Sequence, residues 1–199
     1  MTTTFFLVRH AAHDLLDRVL VGRMTGVSLS ESGREQAQWV TQRLAREGLN
    51  LVQSSPQDRA RETASPIARD RGLPLEIVPM LDEVDVGEWT GCSLDELKAD
   101  PRWQQWNSAR LVARAPGGES MLDVQARIVQ HLQKTSSAHP DGRIAVVSHS
   151  DVIGAALLYY LGMSIDEFGR IELSPAGIST LLVGNWGAKI VSLNEPVVA

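Results

Sequence analysis

The sequence predicts an α/β fold, a three-layer αβα sandwich built on a mostly parallel sheet, and three observations lead there. Two short apolar runs, Phe5-Phe6-Leu7-Val8 and Ile144-Ala145-Val146-Val147, have no polar face, as strands covered on both sides require. Strand-like stretches alternate with stretches whose apolar residues recur at helical spacing, which implies βαβ units. A last pair of runs, residues 178–183 and 189–193, is joined by Gly184-Asn185-Trp186-Gly187 and reads as a hairpin that adds the antiparallel part.

Taken in order, residues 5–8 form the first strand, and it closes in Arg9-His10. A loop with turn residues Gly22 and Gly26 follows. Ser30 is a good helix N-cap, and Ala37, Val40 and Leu44 then recur at helical spacing up to a stop at Gly48. Residues 49–52 read as a short buried strand ending at Gln53-Ser54. Ser55-Pro56 offers an N-cap followed by proline at the first helical position, and Arg59 and Thr63 share one face of that helix near its amino end. Residues 75–78 are a third strand.

Residues 84–118 carry short helical patterns, loops and Trp89, Trp103 and Trp106, and read as a lid-like excursion over the sheet whose tryptophans pack rather than form a substrate platform. Gly117-Gly118-Glu119-Ser120 leads into a helix with Leu122, Gln125, Val129 and Leu132 along one face. It fades at residues 135–139, before the turn Pro140-Asp141-Gly142. The strand at residues 144–148 runs into Ser148-His149-Ser150-Asp151 and a helix up to Gly162. Two strands therefore end in a histidine. In a parallel sheet both arrive at the carboxyl edge, where open α/β sheets bind ligands.

At 199 residues without internal repeats, one domain spanning residues 1–199 is the simplest organisation. The net charge of −5 argues against a nucleic-acid partner, which would call for a basic stripe. A local pocket of arginines can still hold an acidic small molecule. The single Cys92 excludes an internal disulfide and fits a reducing compartment. The longest apolar run, residues 152–163, is too short to span a bilayer, and the opening residues lack the pattern of a secretory signal. A cytoplasmic protein with no membrane partner is expected, and the sequence assigns no oligomeric state.

Arg9-His10 is one of six pieces that occur in a familiar order. The others are Gly33-Arg34; Ser54-Ser55-Pro56-Gln57-Asp58-Arg59-Ala60-Arg61-Glu62-Thr63; Leu81-Asp82-Glu83 followed by Gly87-Glu88-Trp89-Thr90-Gly91; Pro116-Gly117-Gly118-Glu119-Ser120; and Ser148-His149. Together they resemble the histidine phosphatase superfamily, the phosphoglycerate-mutase-like proteins, from residue 5 to about residue 160. The resemblance implies that fold and a phosphomonoester hydrolase of the phosphatase branch. Such an enzyme acts on a small-molecule phosphate through a phosphohistidine, without metal or cofactor.

On that footing His10 is the nucleophile, since a neutral imidazole nitrogen can attack phosphorus and split one hard hydrolysis into two easier steps. Arg9, Arg59 and His149 are the donors that compensate charge on the phosphoryl oxygens. The N–H groups at the start of the helix beginning with Ser150 favour an anion at the same edge. Glu83, beside apolar Leu81, Val84 and Trp89, is the general acid and base, because such surroundings raise a carboxyl's pKa. Asp151 is the rival, ranked lower because Ser150 separates it from His149.

The chain also departs from the family. The usual glycine, glutamate and threonine after the histidine are Ala11, Ala12 and His13, and the phosphate-holding asparagine six residues on is Leu16. His13 or Arg23 is expected to supply the missing ligand. Pro116-Gly117-Gly118-Glu119-Ser120 starts a helix and is no nucleotide-type phosphate loop. Three alternatives are weighed: a metal hydrolase using His10, His13, Asp14, Asp17 and His149; a cofactor-dependent mutase, for which only the separated Arg110 and Arg114 offer extra positive charge; and a non-catalytic phospho-ligand binder. An uncharged, partly apolar substrate remainder is expected to be preferred over phosphoglycerates, since an unpaired second anion is costly to desolvate.

Overall fold

The computed structural model describes residues 1–197. Six strands, β1 (Thr2–Arg9), β2 (Leu51–Ser54), β3 (Leu75–Ile77), β4 (Arg143–Ser148), β5 (Ile178–Gly184) and β6 (Gly187–Glu195), form one sheet in the order β3-β2-β4-β1-β5-β6. The first four run parallel; β5 pairs antiparallel with β1, and β6 with β5. The expected sandwich with its terminal hairpin is what the chain adopts.

Strand periodicity makes the layers. Phe5, Leu7, Ile144 and Val146 join one core with α5 (Met121–Ala138) and α6 (Ser150–Leu161), while Phe6, Val8, Ala145 and Val147 join the other with α1 (Glu31–Leu44) and α2 (Asp58–Arg71). Alternate side chains of a strand point to opposite faces, so an all-apolar run feeds two cores at once. No helix among the described residues is long and apolar enough to cross a membrane.

Local expectations needed three corrections. The second strand ends at Ser54 as expected but starts two residues later, at Leu51, and the helix expected at Ser55-Pro56 starts at Asp58, with Gln57 as its cap. The reason is that Ser55 still belongs to the sheet edge: its N–H donates to the Val147 carbonyl (2.9 Å), and its hydroxyl meets Nε2 of His149 (2.7 Å). The buried stripe of α5 is Met121, Val124, Ile128 and Leu132, while Leu122 is 44% exposed and Gln125 donates to the Ala155 carbonyl (2.9 Å). Leu122 lies one helical step from Met121, and only one of the two can face the core.

The excursion at residues 84–118 includes α3 (Leu94–Lys98) and α4 (Pro101–Ser108). Trp89 and Trp106 are buried edge-to-face (6.0 Å), with Trp103 against Trp89 (5.3 Å), so the tryptophans pack. Its two ends are laced together: Glu88 N–H donates to the Pro116 carbonyl (2.9 Å) and Glu119 N–H to the Asp85 carbonyl (2.8 Å). Glycine is required at the crossing. A Cβ on Gly118 would stand 2.1 Å from the Asp85 carbonyl oxygen, and one on Gly87, whose φ is 52°, would stand 2.0 Å from that of Pro116.

Gly118→Ala is therefore expected to destabilise by about 1–3 kcal/mol, as overpacking against backbone does, lowering Tm by roughly 3–10 °C in a domain of this size. Thermal unfolding followed by circular dichroism checks it; an unchanged Tm would mean the crossing is looser than described.

Candidate active site

The register of the central pair builds the site. Arg9 lies opposite Ser148 in the parallel β1–β4 ladder, and His10 N–H continues it to the Ser148 carbonyl (2.8 Å). His10 and His149 therefore leave the sheet side by side, their rings 5.2 Å apart and edge-on. Nδ1 of His10 lies 2.8 Å from the Ala11 carbonyl. A carbonyl only accepts, so Nδ1 carries the proton and Nε2 keeps its lone pair.

The loop after His10 is fastened to both neighbouring helices. Ala11 N–H donates to Thr63 Oγ1 (3.0 Å), which donates to the Arg59 carbonyl (2.7 Å). Ala12 N–H donates to Gln36 Oε1 (2.9 Å), and Gly33 approaches the Ala12 carbonyl so closely that a Cβ would stand 1.9 Å from its oxygen. These contacts tie Gly33 and Thr63 to the Arg9-His10 loop, and they bring Arg59 beside the histidines.

The Arg59 side chain has no exposed surface. Its Nη2 donates to the Gly22 carbonyl (2.8 Å) and lies 3.3 Å from Nδ1 of His149 and 3.8 Å from Glu83 Oε2. Glu83 Oε2 is itself 3.3 Å from Nδ1 of His149, while Oε1 accepts from Val84 N–H (2.9 Å). Ser148 Oγ donates to the Leu81 carbonyl (2.7 Å), tying the Glu83 loop to β4.

Burial sets the protonation states. It depresses His10 well below the ordinary imidazole value, helped by the guanidiniums of Arg59 and Arg9, and does the same to His149, so both rings stay neutral. It pushes the Glu83 carboxyl up to about 7, with the charge of Asp151 adding to the rise and Arg59 opposing it. Asp151 lines the same cavity but pairs with Arg110 (2.9 Å). Ser150, which opens α6, also lines it.

Arg23 is placed elsewhere. It lies between Asp82 (3.4 Å), Asp85 (3.7 Å) and Glu119 (2.9 Å), and its Nε donates to the Glu83 carbonyl (2.8 Å). Arg127 donates to that same carbonyl (3.1 Å) and to Glu119 (3.0 Å). Arg23, expected to bind substrate, is thus drawn by three carboxylates into the frame that holds Glu83. Sequence reasoning also missed Ser55, Glu119 and Arg127. Ser55 and Glu119 sit inside quoted motifs; Arg127 had no signal beyond its place in a helix.

The cavity has a volume of about 180 Å³, and its lining combines polar Arg9, His10, His13, Asp17, Glu83, Ser150 and Asp151 with apolar Leu16, Val19, Leu20, Val84 and Phe168. A larger groove of about 470 Å³ near Tyr159, Tyr160 and Asn185 lies by the amino edge of the sheet, where Gly184 pairs with Thr2, and has no Arg, Lys or His in its lining. The chemistry therefore belongs to the smaller cavity. Of the buried side-chain polar atoms without a partner among the described residues, Arg9 Nε, Arg59 Nε, Arg59 Nη1 and His13 Nδ1 all belong to this site. Buried donors are normally satisfied, so four together point to an acceptor-rich ligand.

His10, Glu83 and His149 each offer a ligand atom within 4.8 Å of the others. Two guanidiniums beside them repel a dication and suit an anion. The alternative metal set does not come together, because Asp14 faces a separate groove with Ser30 and Glu31.

The profile described as the histidine phosphatase superfamily (branch 1) matches residues 5–196. Phosphoserine phosphatase 1 of Hydrogenobacter thermophilus is 30% identical over 193 residues, covering 94% of this chain and 90% of that protein. The probable phosphoglycerate mutase GpmB of Erwinia tasmaniensis is 30% identical over 178 residues, covering 87% and 82%. The solved structure of Bacillus stearothermophilus YhfR superposes with a TM-score of 0.91 at 24% identity, covering 99% of this chain and 98% of that one.

The raised carboxyl has a consequence for stability. A carboxyl moved from 4.5 to about 7 by folding favours the native state while protonated. That contribution is complete below the unfolded pKa and is lost as pH rises through the folded one. Glu83→Gln, which cannot ionise, is expected to gain on the unmodified protein by up to about 3 kcal/mol between pH 5 and pH 8. Urea unfolding at both pH values measures the gain, and a difference independent of pH would show that Glu83 ionises normally.

Proposed function

Because the chain belongs to the histidine phosphatase superfamily and is a phosphatase of small-molecule phosphomonoesters, we propose that His10 is its phosphorylated nucleophile and Glu83 its general acid and base. The observation that carries this assignment is the neutral His10, with a free Nε2, among unpartnered guanidinium N–H groups of Arg9 and Arg59. Nε2 attacks phosphorus and the ester P–O bond breaks. Arg9, Arg59, His149 and the amino end of α6 at Ser150 hold the phosphoryl oxygens, and protonated Glu83 gives its proton to the departing alkoxide. Water then attacks the phosphohistidine and passes a proton to Glu83, which restores both residues and releases inorganic phosphate.

Residues 84–118 serve in this proposal as the lid-like rim, with Val84 and Val86 reaching the cavity wall. The remainder of the substrate meets apolar Leu16, Val19 and Leu20 together with the carboxylates of Asp17 and Asp151. Arg110 is already engaged by Asp151 and stacks on Phe168 (4.1 Å), and Arg114 is engaged by Asp123 (2.7 Å). A second uncompensated anion therefore finds no free partner, whereas an apolar or zwitterionic remainder does not need one. Phosphoserine, named in a relative that matches nearly the whole chain, is zwitterionic beyond its phosphate. The mutase named in another relative would need the extra positive charge that Arg110 and Arg114 do not leave free.

Incubation with labelled phosphomonoesters followed by acid-free denaturation is expected to leave an acid-labile, base-stable phosphate on His10, absent from His10→Ala. Across the panel, kcat/KM for phosphoserine and aryl phosphates should exceed that for 3-phosphoglycerate at least tenfold, an outcome worth about 1.4 kcal/mol in the transition state. A label on another residue sinks the nucleophile assignment, and a tenfold preference for phosphoglycerate reopens the mutase reading.

Glu83→Gln is expected to slow alkyl phosphates by about 10² to 10⁴ and nitrophenyl phosphate far less, because only the poor leaving group needs the proton. With the carboxyl at about 7, the rate on alkyl esters should also fall as pH rises above neutrality. Equal losses on both esters would move the proton donor to Asp151 or water.

A further inference from the structure

We propose that His13 is a phosphate ligand of this site, donating an imidazole N–H to a phosphoryl oxygen in the cavity that it shares with Leu16, which can donate none. The inference rests on the phosphatase reading above and adds a binding residue to it.

His13 is 5% exposed and lines the cavity beside His10, on whose ring it stacks with centroids 5.4 Å apart and planes at 28°. Its Nδ1 is buried and has no partner among the described residues. The lining residues that follow it in the chain, Leu16, Val19, Leu20 and Val21, are apolar, with Asp17 the one carboxylate among them. If the ring served only to pack against His10, a nitrogen would be desolvated to no purpose, and a phenyl ring would fill the same space without that penalty. Arg9, whose Nε is unpartnered, lines the same cavity, and Arg59, with two unpartnered nitrogens, lies against Gly22 and Glu83 of its lining, so a phosphoryl group draws on all three side chains together.

Charge agrees with geometry. Burial and the guanidiniums of Arg59 and Arg9 depress His13 to about 4, against the weaker pull of Asp14 and Asp17. The ring is thus a neutral donor at working pH. It adds a hydrogen bond for the anion without adding a third fixed charge to a site that already buries two guanidiniums.

The test is titration calorimetry of inorganic phosphate with the full chain at pH 7, in parallel with steady-state kinetics. His13→Phe keeps a flat ring against His10 and removes both nitrogens; His13→Gln keeps an N–H donor. A hydrogen bond to a charged acceptor is worth about a 10- to 100-fold change in affinity. His13→Phe should therefore weaken phosphate binding at least tenfold and raise KM more than it lowers kcat, with His13→Gln between it and the unmodified protein. Should the phenylalanine variant not fold, His13→Ala takes its place and is expected to show the same loss relative to His13→Gln. Phosphate binding by His13→Phe or His13→Ala within twofold of the unmodified protein overturns the inference while leaving the phosphatase reading intact. An unmodified protein that neither binds phosphate nor releases it from esters overturns the phosphatase reading itself.

Discussion

The constraint on which the site depends is a buried positive charge. Placing the Arg59 guanidinium where water cannot reach it costs several kcal/mol unless partners replace its hydration. The fold supplies only some of them: the Gly22 carbonyl, the more distant Glu83 carboxylate and the edge of His149. Four segments separated in sequence are drawn to one point by this need. They are the loop at Gly22, the first turn of α2, the loop at Glu83 and the start of α6. Two nitrogens of the guanidinium, Nε and Nη1, still lack a partner, so the protein holds a site with an excess of donors whose natural complement is an oxyanion.

The same dry environment gives the ionisable side chains opposite tendencies. Burial disfavours whichever form is charged, so it lowers the imidazoles of His10 and His149 and raises the carboxyl of Glu83. The neutral imidazole and the protonated carboxyl that the proposed roles require are both obtained from one physical cause. Position decides the rest. Glu83 is held through its backbone carbonyl by Arg23 and Arg127, which Glu119 bridges, so its carboxylate is left to face His149 and Arg59.

What was legible in the sequence follows from how local each signal is. The strands 5–8 and 144–148 were readable because an apolar run flanked by polar residues has few other uses, and their shared histidine ending placed the site at the sheet edge. Motif order carried the family, and with it Arg59 and Glu83. Side-chain direction was not readable. Arg23 could be named as a basic residue near the nucleophile, yet only the fold shows three carboxylates claiming it. Ser55-Pro56 has the form of a helix start, but a tertiary partner, His149, engages the serine that the helix would have used. Leu122 and Met121 are both apolar, and which of them faces inward depends on the rotation at which α5 packs, a quantity that depends on the whole sheet.

The crossing of backbone at Gly87 and Gly118 separates two parts of the chain that would otherwise be mechanically linked. On one side lies Glu83, whose carboxyl faces His149 and Arg59; on the other lie α3 and α4, held by Trp89, Leu97 and Trp106 in the core. The crossing acts as a drawstring at the base of the excursion, since the Glu88–Pro116 and Glu119–Asp85 hydrogen bonds close it there. Motion of α3 and α4 is damped at this throat before it reaches the Glu83 carboxyl.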